Sequence, residues 1–306
     1  MADLSICIPT FNRAERLRIT LRTLLEELRA EGYEHSVGVC VSDNASEDHT
    51  GQILVEIAAE FPSLRYRRND RNVSFGNNLW NVIELAQSDY VLLLGDDDAV
   101  DVKLLAEIAS ALDAEEPDLL LLNSEPGHRV AASGIAATPG PHRLSGLSRY
   151  LADLGPFHAT FIGNLVFRRS AFLDISRGSF IGDSAYPHMV PVLDCLRRGE
   201  AVFLPVTLIG SDDGHRNWQA MQPIYTAIDL AQIYRWFGLP LTWLGLADRV
   251  KLAAFLARSL PRAWRSVASG AVPRDTDNPF RSTRMADVVR IYAGLLFPAR
   301  SVSRAA

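Results

Sequence analysis

Residues Tyr90–Val100 read YVLLLGDDDAV, an apolar run long enough for one buried strand that ends in Gly95 and three consecutive aspartates. Adjacent like charges repel, so ionising all three carboxylates costs free energy unless a cation or hydrogen-bond donors offset the repulsion. Two interpretations follow. Either the side chains spread into water as a turn and helix cap, or they form a site for something positively charged.

The composition is typical of an ordinary globular protein of one or two domains, with 306 residues, 48% hydrophobic and 22% charged. A formal net charge of -5 does not favour nucleic acid as a partner. Cys7, Cys40 and Cys195 show no disulfide or metal spacing, which suits a reducing compartment. Because MADLSICIPT is not a signal peptide and no apolar run reaches transmembrane length, we expect a cytoplasmic protein.

Short apolar runs alternate with segments of helical period through the first half of the chain. Strands are predicted at Leu4–Ile8, Val37–Ser42, Leu64–Arg67, Tyr90–Leu94 and Asp118–Asn123, and helices at Arg13–Ala30, Glu47–Glu60, Phe75–Gln87 and Asp101–Glu115. This alternation predicts an α/β fold with a mainly parallel sheet. After a loop or lid at Glu125–Ser145, strands are predicted at Asn164–Arg168 and Ala201–Leu204, with a helix at Tyr186–Leu196 between them.

Ligands of such sheets bind outside the carboxyl ends of the strands, which here are Pro9–Arg13, Asp43–Ser46 and Gly95–Asp98. A dinucleotide site would need a glycine-rich first turn, but the first turn reads IPTFNR. A nucleoside diphosphate held by Mg²⁺ or Mn²⁺ suits these residues better, because both ions prefer carboxylate and phosphate oxygens. Asp43 would accept a hydrogen bond from the base or ribose. Taken alone, Asp43 could equally form a turn and Asp98 could cap a helix.

Three stretches carry motifs in a characteristic order: LSICIPTFNRAERL, VCVSDNASEDHT and RNDRNVSFGNNLWNVIELAQSDYVLLLGDDDAV. They resemble the opening strand and turn, the V-D-[DN]-x-S-x-D-x-T segment and the metal-binding DXD region of family 2 glycosyltransferases. That family has the GT-A fold, a Rossmann-like, mainly parallel sheet flanked by helices. The resemblance covers Leu4–Val100, and FGNN together with LLLGDDD is closest to a branch that includes sugar transferases of bacterial surface polysaccharides, such as abequosyltransferases.

The resemblance implies a nucleotide-sugar site at these strand ends, with Mn²⁺ or Mg²⁺ as cofactor and a UDP-, dTDP-, CDP- or GDP-linked donor. The implied nucleotide-sugar contacts are Pro9, Thr10, Asn12, Arg13, Asp43, Arg71, Asn72, Asn78, Asp96 and Asp97. The implied metal ligands are Asp98 together with Asp96 or Asp97. Many family members read L-D-x-D-D, which would align Gly95 with the first aspartate, so all three aspartates remain candidates.

The resemblance also implies an inverting displacement, in which an acceptor hydroxyl attacks the anomeric carbon with a carboxylate as general base. We expect the base in the second half of the chain, because the first half binds the donor. Asp183 in SFIGDSAYPHMVPVL is the first candidate, and Asp212 and Asp213 in SDDGHRNW are the alternatives. Each of them could instead cap a helix or lie in a surface turn.

Three further side chains are candidates for the acceptor side. His188 is either an acceptor contact or a packing residue. His215 is a candidate metal ligand, because some GT-A enzymes close over the diphosphate with a late histidine. Trp218 would stack on a sugar face or, alternatively, lie in the core.

Three segments are expected along the chain: a nucleotide-sugar-binding half at residues 1–124, an acceptor-binding and catalytic half at residues 125–222, and a helical C-terminal extension at residues 223–306. Apolar stripes with arginines, as in DRVKLAAFLARSLPRAWRSVA, favour a packed helical subdomain or a homodimer contact. Peripheral contact with the inner face of the membrane is the alternative, and it would suit a lipid-linked acceptor.

The sequence thus predicts a metal-dependent, inverting hexosyl- or deoxyhexosyltransferase that acts on a glycan, a lipid-linked glycan or a secondary metabolite. A nucleotidyltransferase is the alternative enzyme, but it would carry a glycine-rich nucleotide loop with Lys or Arg near the N-terminus. A catalytically silent sugar-nucleotide or glycan-binding protein is the alternative without catalysis, and the intact triple aspartate argues against it.

Overall fold

The computed structural model describes residues 2–123, 134–175 and 184–211, together with isolated residues between 230 and 293. Helices in the described ranges are α1 (Ala14–Ala30), α2 (Thr50–Glu60), α3 (Phe75–Leu85), α4 (Leu105–Glu115), α5 (Leu147–Asp153), α6 (Arg169–Leu173) and α7 (Met189–Arg198). Short 3₁₀ turns occupy Val102–Leu104, Gly134–Ala137, His158–Thr160 and Ile162–Asn164.

The strands form one large mixed sheet and one small ribbon. They are β1 (Leu4–Thr10), β2 (Val37–Asp43), β3 (Leu64–Arg68), β4 (Tyr90–Leu93), β5 (Asp98–Val100), β6 (Leu119–Leu122), β7 (His142–Leu144), β8 (Leu165–Arg168), β9 (Ala201–Leu204) and β10 (Ile209–Ser211). The sheet has the order β3-β2-β1-β4-β8-β6-β9-β7, and β5 pairs with β10 in the ribbon. Strands β1 to β4 pair in parallel, as do β6 and β9, whereas β8 is antiparallel to both β4 and β6.

Successive side chains of β1 point to opposite faces of the sheet and so belong to two separate core clusters. Ile6 and Ile8 lie in one buried cluster with Leu17 and Leu21 of α1, whereas Cys7 lies in the other cluster, on the side of α3. The apolar side chains of α1 recur at helical spacing, and burying each leucine stabilises the fold by roughly 1.5–3 kcal/mol. This packing holds the helices against the sheet and leaves the carboxyl ends of β1, β2 and β4 to form a common edge.

The observed strands confirm the α/β prediction, and the predicted boundaries differ by one or two residues at most strand ends. Helix α2 begins three residues later than predicted, because the Asp48 carboxylate accepts the Thr50 N–H at 3.0 Å and holds the preceding residues in a turn. The loop prediction at Glu125–Ser145 is wrong at its end, where β7 pairs antiparallel with β9. At three residues, β7 is too short for alternation to reveal it in the sequence.

The sheet continues across residue 124, the predicted segment boundary, because β6 on one side pairs with β8 and β9 on the other. Most of the predicted C-terminal extension lies outside the described residues. Of the isolated residues, Leu230, Ile233 and Ala253 are buried in the core cluster on the α3 side. Within the described part of the chain, no helix combines the length and the hydropathy that a membrane span requires.

Candidate functional site

Three turns meet at the carboxyl edge of the sheet, those after β1, β2 and β3, and the first two are among the strand ends that the sequence predicted there. The N–H of Asn44, after β2, donates to the Thr10 carbonyl at the end of β1 at 2.9 Å. The N–H of Asn69, after β3, donates to the Asp43 carbonyl at 2.8 Å. These backbone hydrogen bonds place the turns after β1, β2 and β3 side by side.

The first turn contains Pro9, Thr10, Asn12 and Arg13, four of the predicted nucleotide contacts. Asn12 adopts a left-handed backbone with φ 53°, which asparagine tolerates better than most residues. Its N–H donates to Ser46 Oγ at 2.8 Å, and its side-chain Oδ1 accepts the Glu47 N–H at 2.8 Å. The turn after β1 is therefore attached to the turn after β2 through both the backbone and the side chain of Asn12.

Asp43 lies at the end of β2 with its side chain completely enclosed. Its Oδ1 accepts the Ser46 N–H at 2.9 Å and the Ser46 O–H at 2.5 Å. Its Oδ2 accepts the Nε–H of Arg68 at 3.1 Å. The structure thus places Asp43 beneath the turn surface, with both carboxylate oxygens engaged by the protein.

An amide network holds the third turn against the second. Asn44 Nδ2 donates to Asn72 Oδ1 at 2.9 Å, and Asn44 Oδ1 accepts the Val73 N–H at 2.9 Å. Asn78, on α3, is buried and donates to the carbonyls of Ser42 (2.9 Å) and Thr10 (3.3 Å). Asn78 therefore holds strand ends together, whereas Arg71 and Asn72 line an open cavity of ≈ 500 Å³ whose other lining residues are Val73, Asn77 and Asn81.

The triple aspartate follows β4 and contacts the first turn. Thr10 Oγ1 donates to Asp96 Oδ2 at 2.7 Å, and Arg13 Nη1 lies 3.7 Å from Asp97 Oδ2. Burial raises the pKa of the Asp96 carboxyl to about 6, and the Thr10 hydrogen bond and the Arg13 charge partly oppose that rise. Thr20 Oγ1, from α1, also donates to the Asp96 carbonyl at 3.1 Å.

Asp98 turns back toward the start of the same loop, where its Oδ2 accepts the Gly95 N–H at 3.2 Å. A Cβ at position 95 would lie 2.5 Å from that oxygen, so glycine is what allows this close approach. The nearby 3₁₀ turn is capped by Asp101, whose Oδ1 accepts the Lys103 N–H at 3.2 Å. The cap that the sequence offered as an alternative role for Asp98 is thus made by Asp101.

The ribbon of β5 and β10 brings a distant part of the chain to the triple aspartate. Asp98 is the register partner of Ser211, although the two lie 113 positions apart in the sequence. Asp212 follows Ser211 directly in the sequence and begins the acidic part of the SDDGHRNW segment. Sequence reasoning missed this pairing, because strands of three residues give no periodic signal.

The remaining predicted site residues on the acceptor side fall into two groups. Asp183, Asp212, Asp213, His215 and Trp218 lie outside the described residues. His188 lies at the start of α7 and is buried, and its Nε2–H donates to the Thr160 carbonyl at 3.1 Å. Burial lowers the pKa of His188 to about 4, so the ring is neutral at neutral pH. These features favour the packing role for His188.

A cation site is incomplete within the described residues, since no three His, Cys, Asp or Glu side chains there converge on one point. Asp96, Asp97 and Asp98 nevertheless offer the carboxylate oxygens that Mg²⁺ and Mn²⁺ prefer. These ions keep several ligand positions for water and substrate phosphates. The donor set therefore fits an ion that is completed by a bound diphosphate.

Several residues of the site were not singled out by sequence reasoning. Ser46 and Asp48 stood within the quoted VCVSDNASEDHT stretch without an assigned role. Asn69 likewise stood in a quoted stretch without an assigned role, and Thr20 gave no signal. Arg68 stood at the start of the quoted RNDRNVSFGNN stretch without an assigned role, and only the register of β2 and β3, which pairs it with Asp43, shows what it contacts.

A protein-family comparison agrees with the arrangement of the turns. Residues 5–174, more than half of the chain, match the model of the family described as Glycosyl transferase family 2. The abequosyltransferase RfbV of Salmonella typhimurium (strain LT2) is 29% identical over 208 residues, which cover 61% of this chain and 59% of that protein. The chain therefore spans about three fifths of the length of this curated relative.

Solved structures share the fold at low sequence identity. Staphylococcus aureus TarS 1–349 in complex with UDP-GlcNAc has a TM-score of 0.58 and 16% identity, covering 97% of this chain and 90% of that one. The mannosyltransferase PcManGT from Pyrobaculum calidifontis, in complex with GDP-Man and Mn²⁺, has a TM-score of 0.59 and 16% identity, covering 97% and 88%. Both likenesses support the GT-A fold.

Proposed function

Because the chain belongs to glycosyl transferase family 2, we propose that it transfers a sugar from a nucleoside-diphosphate donor to an acceptor hydroxyl. The observation that carries the proposal is the contact between the first turn and the triple aspartate, where Thr10 holds Asp96 and Arg13 lies beside Asp97. Carboxylates, an arginine and a buried hydroxyl thus meet where parallel α/β sheets bind ligands. The fold neighbours are described with UDP-GlcNAc and with GDP-Man, which supports this class of donor.

The donor would lie across the three turns. Arg71 and Asn72 would donate to the base or phosphates, which is supported by their position in the lining of the open cavity beside α3. Pro9, Asn12 and Arg13 would line the pocket for the base and ribose. Arg13, which lies beside Asp97, would also form an ion pair with a phosphate of the donor. Asp43 and Asn78 would support this surface from below, because their polar atoms are engaged by the protein.

The proposed cofactor is Mn²⁺ or Mg²⁺, held by Asp98 together with Asp96 or Asp97. The pairing of β5 with β10 supports His215 as a further ligand, because it brings Ser211 opposite Asp98 only four positions before His215. When bound, the ion would neutralise charge on the departing diphosphate. The protein's own contribution is to hold the carboxylates in place through Thr10 and the Gly95 N–H.

We further propose an inverting displacement with Asp183 as general base and Asp212 or Asp213 as alternatives. Such a base must lie within hydrogen-bond reach of the attacking hydroxyl, on the acceptor side of the metal. Ser211, which pairs with Asp98, immediately precedes Asp212 and Asp213 in the sequence, and this supports them as alternatives.

The acceptor is proposed to be a glycan or a lipid-linked glycan, with a secondary metabolite as the alternative. The relative RfbV is an abequosyltransferase, which supports a hexosyl or deoxyhexosyl donor and a role in polysaccharide biosynthesis. We propose a cytoplasmic location, with peripheral membrane contact or a homodimer formed by the C-terminal segment. Burial of Leu230, Ile233 and Ala253 supports packing of that segment on the catalytic core.

The test is calorimetric binding of UDP, dTDP, CDP and GDP, each with Mn²⁺ and with EDTA. We expect one nucleotide to bind tightly and only with the metal, because the three aspartates need a cation between them and the diphosphate. A folded sample that binds none of the four would refute the proposal. A sample that binds a nucleotide sugar, yet neither hydrolyses it nor transfers the sugar, would favour the catalytically silent binding protein. Release of pyrophosphate from a nucleoside triphosphate would favour the nucleotidyltransferase.

A further inference from the structure

Asp43 is a charged side chain enclosed at the end of a strand, and such burial is costly unless the charge is paired and hydrogen-bonded. Its side-chain exposure is 0%, and its ion-pair partner is Arg68. Arg68 reaches it because β2 and β3 pair in parallel with Asp43 opposite Arg68. The pair is therefore a product of strand register rather than of nearness in sequence.

The guanidinium of Arg68 makes two hydrogen bonds in this turn. Its Nε–H donates to Asp43 Oδ2 at 3.1 Å, and Nη2–H donates to the Ser46 carbonyl at 2.7 Å. The planar guanidinium donates both bonds in a fixed geometry, which a lysine cannot reproduce. The Arg68 side chain thus binds the turn after β2 at two residues, Asp43 and Ser46.

The turn after β2 is in turn hydrogen-bonded to the turn after β1. The Ser46 hydroxyl donates to Asp43 Oδ1 and accepts the N–H of Asn12, so one oxygen links both turns. Asn12 immediately precedes Arg13, which lies beside Asp97. Hydrogen bonds therefore run from Arg68 on β3 through Asp43 and Ser46 to Asn12. The next residue, Arg13, lies 3.7 Å from the triple aspartate at Asp97.

We propose that Arg68 is a positioning residue for the nucleotide pocket. By pairing with Asp43 and the Ser46 carbonyl, it sets the position of Asn12 and Arg13 on the surface that would meet the nucleotide. Asp43 would then act on the nucleotide mainly through this set of hydrogen bonds. The inference rests on the proposed function, since it takes the pocket to bind a nucleotide.

The experiment compares full-length variants in calorimetric titrations with the nucleotide that the unaltered protein binds. Arg68→Met keeps the aliphatic stem but removes the charge and both donors, whereas Arg68→Lys keeps the charge alone. Arg67→Met is the matched control, because Arg67 is the neighbour on β3 and forms no ion pair with any described residue. The dissociation constant, the binding stoichiometry and Tm are measured for each protein.

We expect Arg68→Met to raise the dissociation constant up to about tenfold, because it removes the hydrogen bonds to the Asp43 carboxylate and the Ser46 carbonyl that hold Asn12 and Arg13 in position. Arg68→Lys should recover part of the loss, and Arg67→Met should bind like the unaltered protein. The stoichiometry should stay near one site per chain in all of them. If Arg68→Met does not fold, Ser46→Ala is the second variant. It removes the hydroxyl that bonds both Asp43 and the Asn12 N–H, and it should also raise the dissociation constant.

A lower stoichiometry or Tm with an unchanged dissociation constant would overturn the inference, because Arg68 would then only stabilise the fold. Equal weakening by Arg67→Met would also overturn it, since any positive charge on β3 would then suffice. Failure of the unaltered protein to bind any nucleotide is a separate outcome. It would refute the proposed function, and the inference would fall with it.

Discussion

Replacing Asp96 with asparagine should change how the stability of the protein depends on pH. Burial raises the pKa of the Asp96 carboxyl from 3.8 to about 6. Because this pKa is higher in the folded than in the unfolded chain, the folded state keeps a proton that the unfolded chain releases. The resulting stabilisation is complete below about pH 4 and is lost as the pH rises through about 6.

The size of the change in unfolding free energy follows from the shift in the pKa of Asp96. About two pKa units correspond to about 3 kcal/mol at roughly 1.4 kcal/mol per unit. Asp96 keeps part of its surface exposed, so we take about 2 kcal/mol as the working value. About two thirds of this change falls between pH 4.5 and pH 7.5, because the unfolded carboxyl is already largely ionised at pH 4.5. At about 2 °C per kcal/mol for a chain of this size, the Tm difference between the unaltered protein and Asp96→Asn should change by roughly 3 °C over that range.

The assay is thermal unfolding across that pH range with EDTA present, so that no metal alters the ionisation of Asp96. The asparagine side chain of the variant cannot titrate, so Asp96→Asn should gain in Tm relative to the unaltered protein as the pH rises. Asp70→Asn, at an exposed aspartate, controls for the loss of one negative charge. A Tm difference that stays constant from pH 4.5 to pH 7.5 would show that the Asp96 carboxyl is not held in a buried environment.

Three further substitutions test the rest of the site. Asp98→Asn should abolish metal-dependent transfer while Tm stays within a few degrees, and an active variant would contradict its assignment as a ligand. Gly95→Ala should weaken Mn²⁺-dependent nucleotide binding, because a Cβ 2.5 Å from Asp98 Oδ2 displaces that carboxylate; titration with and without EDTA measures this, and unchanged binding would show that the loop adapts. Asp183→Asn should lower kcat far more than it raises the KM for the donor; if both constants are unchanged, Asp212 or Asp213 becomes the better candidate.

Local sequence patterns were enough to predict the first half of the fold. Apolar runs followed by Pro9, Asp43 and Gly95 marked the strand ends, and the parallel arrangement implied by alternating helices placed those ends at one edge. This works because strand and helix periods are local properties of the chain, and the chirality of strand–helix–strand units leaves few ways to assemble them. The structure then shows the first turn in contact with the triple aspartate at that edge.

Only the tertiary structure shows which residues of the site contact one another across distant parts of the sequence. Arg68 is an exposed arginine in a basic stretch, and only strand register makes it the partner of the enclosed Asp43. Ser211 comes opposite Asp98 through two strands of only three residues. Neither contact has a local signal, because register and short pairings are set by the summed packing of distant elements, which no single stretch of sequence contains.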